Sequence, residues 1–191
     1  TRGRGGIVEN IYINNINMID IPGEAILFDM YYAAVDPVPL AGEKREAIKT
    51  ITVPVTEATP QFRNFVIKDV VANGAEKAIF FRGLPEMNIK NISLENVTIQ
   101  SKKGIEIIEA SGISLKNVNV ITADTNPIVH IQNGTNVTIS NLKYKTGAEL
   151  LFDINGEKTK GVKISGTDTS KAKKASNFGE GVIKNALEIS K

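Results

Sequence analysis

NISLENVTI, residues 91–99, alternates apolar and polar residues and carries Asn96. The pattern returns at NIYINNINM (10–18), NFVIKDVVA (64–72), GISLKNVNV (112–120) and NVTISNLKY (136–144), with a degenerate copy, GVKISGTDT, at 161–169. One column of these segments holds Asn15, Asp69, Asn96, Asn117 and Asn141. From Asp69 onward the steps are 27, 21 and 24 residues, whereas Asn15 and Asp69 lie 54 apart. That first step holds either an extra coil or an insertion.

A second apolar alternation follows each of the first. It reads EAILFDMYY (24–32), EKAIFFRG (76–83), GIEIIE (104–109), PIVHIQ (127–132) and ELLFDI (149–154). Each repeat therefore carries two short period-2 strands separated by turns bearing Asn and Gly. Strands of this length cannot bury a face alone. Stacking successive repeats does so, and the expected fold is an all-β parallel β-helix of about six coils with a continuous apolar interior. Stacked Asn side chains at one turn are expected to hydrogen-bond along the column. An antiparallel β-sandwich predicts hairpin turns and no fixed period. A leucine-rich repeat needs an Asn after Leu-x-Leu that these segments lack.

Residues 1–191 read as a single β-helix domain. Residues 33–61 interrupt the repeat with four prolines and the charged run GEKREAIK, and are expected to form an inserted loop with a short hairpin around ITVPV, residues 51–55. Residues 170–191 are expected to supply the C-terminal cap that a solenoid requires.

Composition narrows the function. The chain is 41% hydrophobic and 23% charged, as in an ordinary globular protein. With 23 basic and 21 acidic residues, its net charge of +2 is too balanced to indicate nucleic acid. The opening TRGRGG, residues 1–6, holds one Arg-Gly-Gly but no interleaved aromatics, so an RNA-binding reading has little behind it. Cysteine is absent, which removes disulfides and thiolate metal sites. No apolar run approaches the ~20 residues of a membrane span. The expectation is no cofactor, no metal, no nucleic acid and no membrane.

Alternation along the second strands sorts inward pairs, Ile26/Phe28, Ile79/Phe81, Ile105/Ile107, Val129/Ile131 and Leu150/Phe152, from outward residues. The outward set includes Leu27, Phe80 and Leu151, and a column through Asp29, Arg82, Glu106, His130 and Asp153. That column is mixed in charge and is the candidate binding face. The competing reading is a solvated face of cross-coil ion pairs, worth about 0–1 kcal/mol each. His130 is the only histidine, so it cannot build a metal cluster. Four Asn-x-Ser/Thr triplets begin at Asn91, Asn96, Asn133 and Asn136, and their place at repeat turns suits ladder geometry better than glycosylation.

VENIYINNINMIDIPGEAILFDMYY, TEATPQFRNFVIKDV and EKAIFFRGLPEMNIKNISLENVTI, together with FGEGV near Gly179, resemble the C-terminal half of glycoside hydrolase family 28, the polygalacturonase-like pectinases. The resemblance runs over nearly the whole chain. It implies a right-handed parallel β-helix, inverting hydrolysis of pectic or galacturonate-containing polysaccharide, and an extracellular or periplasmic location. The family's catalytic motifs include an adjacent aspartate pair, Gly-His-Gly and Arg-x-Lys, and none occurs in this sequence. The chain is therefore expected to lack upstream coils, to carry no catalytic residue and to be inactive alone. The alternative is a non-catalytic β-helix that binds carbohydrate or is purely structural.

The resemblance further implies substrate contacts at the cleft flank. Tyr32, and beside it Tyr31, lie where the family has a sugar-contacting tyrosine. Arg2 and Arg4 lie on the loop that would leave the catalytic strand, where guanidinium groups pair with uronate carboxylates. Asp29 and Arg82 belong to the same outward face. Lys44, Arg45 and Lys49 of the insertion would line its rim. A final expectation concerns the open end. Without upstream coils, the apolar bore and a strand edge near Ile7 and Ile11 are exposed, which favours end-to-end self-association.

Overall fold

The computed structural model describes residues 1–31 and 51–190. Strands β1 (Ile7–Ile19) and β2 (Glu24–Asp29) form the first coil, and β3 (Gln61–Arg82) the second. The third is β4 (Ile89–Ile108); β5 (Ala110–Thr122) with β6 (Val129–Gln132) makes the fourth. The fifth contains β7 (Thr135–Ser140), β8 (Lys143–Tyr144) and β9 (Ala148–Asn155). A shorter sixth, β10 (Val162–Ser165) and β11 (Ala172–Phe178), and the terminal strand β12 (Leu187–Ile189) complete the stack. Every strand pairing is parallel. The chain is a parallel β-helix, as the repeat requires.

The register resolves the long first step. β1 pairs directly with β3 from Ile7↔Gln61 to Ile19↔Asn73, and β2 pairs with the same strand from Glu24↔Lys77 to Asp29↔Arg82. No coil lies between them, so the step holds an insertion. Residues 51–55 form no strand, in contrast to the expected hairpin. Pro54, lacking an N–H, cannot serve a ladder there. Residues 56–60 run beside the opening turn instead, with Gly3 N–H and Gly5 N–H both donating to the Ala58 carbonyl.

Long strands turn corners because one residue at each corner is left-handed. The predicted column is such a corner: Asn15, Asp69, Asn96, Asn117 and Asn141 have φ of 55–57°. Asn and Asp tolerate this region better than other non-glycine residues, because their short side chains bond locally. The ladder forms as expected. Asn96 Nδ2 donates to Asp69 Oδ1 at 3.0 Å, Asn117 to Asn96 at 3.0 Å and Asn141 to Asn117 at 2.9 Å. A second left-handed column lies five residues earlier, at Asn10, Asn64, Asn91, Gly112, Asn136 and Gly161. Two corners five residues apart bend each repeat into short flat faces around one bore.

The bore holds the core. Leu94, Ile107, Leu115, Ile131, Ile139 and Ile154 are fully buried. Each such side chain contributes about 1.5–3 kcal/mol of transfer free energy. Phe28 meets Phe65 and Phe81 edge-on, at ring separations of 4.7 and 5.2 Å. One inward assignment moves. Val129 and Ile131 stack on Phe152 and Ile154, so the inward pair of β9 is Phe152/Ile154 rather than Leu150/Phe152. Leu151, expected outward, is buried.

Candidate functional site

The outward residues of the second-strand sheet fall on two neighbouring columns, where the alternation argument expected one. Leu27, Phe80, Glu106, His130, Asp153 and Asn177 stack in register. Asp29, Arg82, Ile108, Gln132 and Asn155 form the next column, two residues along each strand. The correction arises because Asp29 and Arg82 sit two positions beyond Leu27 and Phe80, a spacing that keeps the face but changes the row.

The first row is hydrogen-bonded coil to coil. His130 Nδ1 lies 2.9 Å from Asp153 Oδ2, and Asn177 Nδ2 donates to Asp153 Oδ1 at 3.0 Å. Burial alone would push the Asp153 carboxyl up, but these bonds from His130 and Asn177 together hold it below its ordinary value. Lys77 Nζ stands 3.0 Å from Glu106 Oε2 and 3.9 Å above the Phe80 ring. Phe80, Glu106 and His130 are buried although they point away from the bore.

In the second row Arg82 and Asp29 form a forked pair, with Nε to Oδ1 at 2.9 Å and Nη2 to Oδ2. Asp29 Oδ1 also accepts the Tyr31 backbone N–H at 2.7 Å. The Arg82 guanidinium then lies 5.3 Å from the centroids of both Tyr31 and Phe80. From the rim, Arg2 approaches the same tyrosine at 5.6 Å. Its fork is held by Glu86, Nε to Oε1 at 2.6 Å and Nη2 to Oε2 at 2.8 Å, and Nη2 also donates to the Ile51 carbonyl. Burial opposes ionisation of Glu86, yet Arg2 keeps its carboxyl below the usual range. Burial pushes the Tyr31 hydroxyl up.

Of the site residues expected from sequence, Arg2, Tyr31, Asp29 and Arg82 come together. Tyr31 is 6% exposed and has both guanidinium groups beside its ring, so it does not lie open as a stacking platform. Arg4 leaves the same turn, exposed, and makes no ion pair among the described residues. Tyr32, Lys44, Arg45 and Lys49 lie outside the described residues. Among the described residues no group of three or more His, Asp or Glu side chains gathers as a metal site.

One residue escaped the sequence reading. Glu109 follows β4 with φ of 47° and is 1% exposed. It accepts from Asn88 Nδ2 at 3.2 Å and Asn133 Nδ2 at 2.5 Å, and Lys158 Nζ stands 3.8 Å away. Burial raises its carboxyl despite these partners. It occupies a third left-handed column with Asn133 and Gly156. The chain packs tightly at this corner. A Cβ on Gly83 would sit 2.0 Å from the Glu109 carbonyl oxygen, so only glycine fits. The signal was the Gly or Asn at the same corner of other coils, Gly83, Asn133 and Gly156, a position that Glu109 fills in the third.

Asp29, Arg82, Glu106, His130 and Asp153 of this face stand on strands, whereas Arg2, Arg4, Tyr31 and Glu86 stand on the turns and loops beside them. The face offers forked guanidinium groups, a carboxylate-bound imidazole and, at the rim, Arg4, which has no ion pair among the described residues. The chain matches no known protein family, no characterised protein and no solved structure.

Proposed function

We propose that this chain is the C-terminal part of a β-helix protein acting on pectic polysaccharide, resembling the polygalacturonases, and that residues 1–191 supply a glycan-binding flank rather than the hydrolytic centre. The observation that carries this reading is the convergence of Arg2 and Arg82 on Tyr31, with exposed Arg4 on the same turn as Arg2. A uronate carboxylate is the sugar group that a guanidinium fork recognises best. Arg4 has no carboxylate to give up among the described residues, and Arg2 exchanges Glu86 for one from the ligand. Inverting hydrolysis would be carried by carboxylates outside these residues, since the family's adjacent aspartates are missing here. An extracellular or periplasmic location follows from the substrate.

A second reading, a non-catalytic carbohydrate-binding or structural module, draws on a different observation. Arg2 and Arg82 each already hold a protein carboxylate, and such pairs also serve simply to close a face. One titration tests the first reading. Isothermal calorimetry of the chain with oligogalacturonate is expected to show binding, weakened at least about tenfold, or 1.4 kcal/mol, by Arg2→Ala combined with Arg4→Ala. Neutral oligogalactose is expected not to bind, and no reducing ends are expected from polygalacturonate. Equal binding of neutral and acidic oligosaccharides, or none of either, would overturn the uronate reading. Reducing ends released by the chain alone would overturn the division of labour.

A further inference from the structure

Of the four Asn-x-Ser/Thr triplets, beginning at Asn91, Asn96, Asn133 and Asn136, the structure separates one from the other three. In three the side-chain amide is engaged. Asn91 Nδ2 donates to Asn64 Oδ1 at 3.1 Å, and Asn96 Nδ2 to Asp69 Oδ1 at 3.0 Å. Asn133 is held at both side-chain atoms. Its Nδ2 donates to Glu109 Oε1 at 2.5 Å, and its Oδ1 accepts the Lys158 backbone N–H at 3.3 Å. A substituent on any of these nitrogens breaks a bond that the corner uses.

Asn136 differs because of its column. Side-chain bonds run along that column where Asn follows Asn, from Asn64 to Asn10 and from Asn91 to Asn64. The register then sets Gly112 on one side of Asn136 and Gly161 on the other. Both glycines are left-handed, with φ of 67° and 66°, so the corner is kept while the side-chain ladder is broken. The Asn136 backbone N–H donates to the Lys160 carbonyl at 3.0 Å and anchors the corner. Its side-chain amide makes no hydrogen bond among the described residues.

Exposure separates the triplets in the same way. Ser93, Thr98 and Thr135, the hydroxyl residues of the first three, are half-buried. Asn136 and Thr138 are both exposed, and Val137 between them is buried in the bore. The two glycines also leave room. A bulky group on Asn136 meets no side chain from its own column on the coil above or below.

We propose that Asn136 is the acceptor of an N-linked glycan, and that it is the one triplet of the four at which the folded chain carries sugar. The step joins the Asn136 side-chain nitrogen to the anomeric carbon of a lipid-diphosphate-linked oligosaccharide. The carbon–nitrogen bond forms as the bond from that carbon to the phosphate oxygen breaks. The lipid diphosphate leaves with the electron pair, and the amide gives up one proton. Thr138 supplies the hydroxyl that the acceptor triplet requires. The inference rests on the extracellular or periplasmic location of the proposed function, because such triplets are modified in secreted proteins, and not on its uronate site.

Secretion of the 191-residue chain, behind a cleavable signal sequence, from a host that glycosylates Asn-x-Ser/Thr triplets tests this by intact mass. The expected secreted protein carries one glycan, and peptide N-glycosidase removes it with conversion of Asn136 to aspartate. Thr138→Ala is expected to abolish the mass increment and Thr138→Ser to retain it. Thr138 is exposed, so circular dichroism melts of both unglycosylated variants should match the unglycosylated parent. Ser93→Ala, Thr98→Ala and Thr135→Ala remove the other triplets without touching an asparagine amide, and should leave the increment in place. Folded, secreted protein without sugar at Asn136 would overturn the proposal. So would sugar at Asn91, Asn96 or Asn133 in the folded protein, or an increment that survives Thr138→Ala. The oligogalacturonate titration uses unglycosylated protein, so its failure strikes the uronate reading alone, and a missing glycan strikes this one alone.

Discussion

The first coil and the third are built from the same kinds of residue, yet they are different environments. Ile13 and Leu94 belong to one inward column, through Ile67. Ile13 is 36% exposed, and Leu94 is 0% exposed. The difference comes from the neighbours above and below, since no coil of a solenoid buries its own apolar face. The same holds for the polar corners. Asn96 is bonded on both sides, to Asp69 and Asn117, whereas the Asn15 side chain, among the described residues, bonds its own neighbour Asn14. Stability in this molecule is a nearest-neighbour quantity, and position in the stack outweighs residue type.

The largest test of that contrast is truncation in the bore. Leu94→Ala is expected to destabilise by about 2–5 kcal/mol, because the cavity it leaves cannot collapse between two packed coils. Ile13→Ala should cost less than about 1 kcal/mol, since a partly open site surrenders little transfer energy. Urea denaturation of the two variants measures both. Equal losses would show that the first coil is covered in solution.

The ladder gives the next effect. Asn96→Ala removes two side-chain hydrogen bonds and leaves a Cβ residue at φ of 57°. The left-handed strain and the unpaired partners together should cost about 2–3 kcal/mol. Asn15→Ala keeps the strain and loses only an exposed bond, so about 1 kcal/mol is expected. Asn96→Gly should fall between them, because glycine relieves the left-handed strain but still loses both side-chain bonds. Thermal melts of the three variants rank these terms. A ranking with Asn15→Ala worst would break the comparison.

The sequence carried the repeat because burial here is periodic: an apolar residue recurs wherever a strand faces the bore. The Asn15–Asn141 column was legible for the same reason, since a left-handed corner admits few residue types. The earlier column escaped although every aligned segment begins with its Asn or Gly. Those residues look like strand starts until the corner geometry is known. Glu109 was hidden more deeply, since its role at a corner depends on Asn88, Asn133 and Lys158 from three separate stretches of chain. The split of the outward face into two rows also needed the register between strands. Alternation gives the side of a sheet and says nothing about which residue lies opposite which. The burial of Tyr31 beside two arginines, one of them 29 residues upstream in the sequence, likewise rests on a contact across the stack.

The smallest effect lies at the surface, where the contrast between end and middle is electrostatic. Glu95 stands between Lys68 of the coil below and Lys116 of the coil above, at 2.9 and 2.8 Å. Lys116 first, and Lys68 after it, hold its carboxyl down to about 2. Glu9 of the first coil has one such partner among the described residues, Arg63 at 2.6 Å. A carboxyl whose folded value lies below its unfolded one adds stability above the unfolded value, roughly 4.3. That contribution fades as pH falls from there toward about 2. Melting temperatures of wild type and Glu95→Gln should therefore differ slightly at neutral pH and low salt, and converge in acid. The gap should also close in high salt, because exposed pairs are screened. Glu9→Gln should shift the neutral melting temperature less than Glu95→Gln does. If the Glu95→Gln gap persisted in acid, the two lysines would not be its cause, and the surface ladder would owe its order to the backbone corners beneath it.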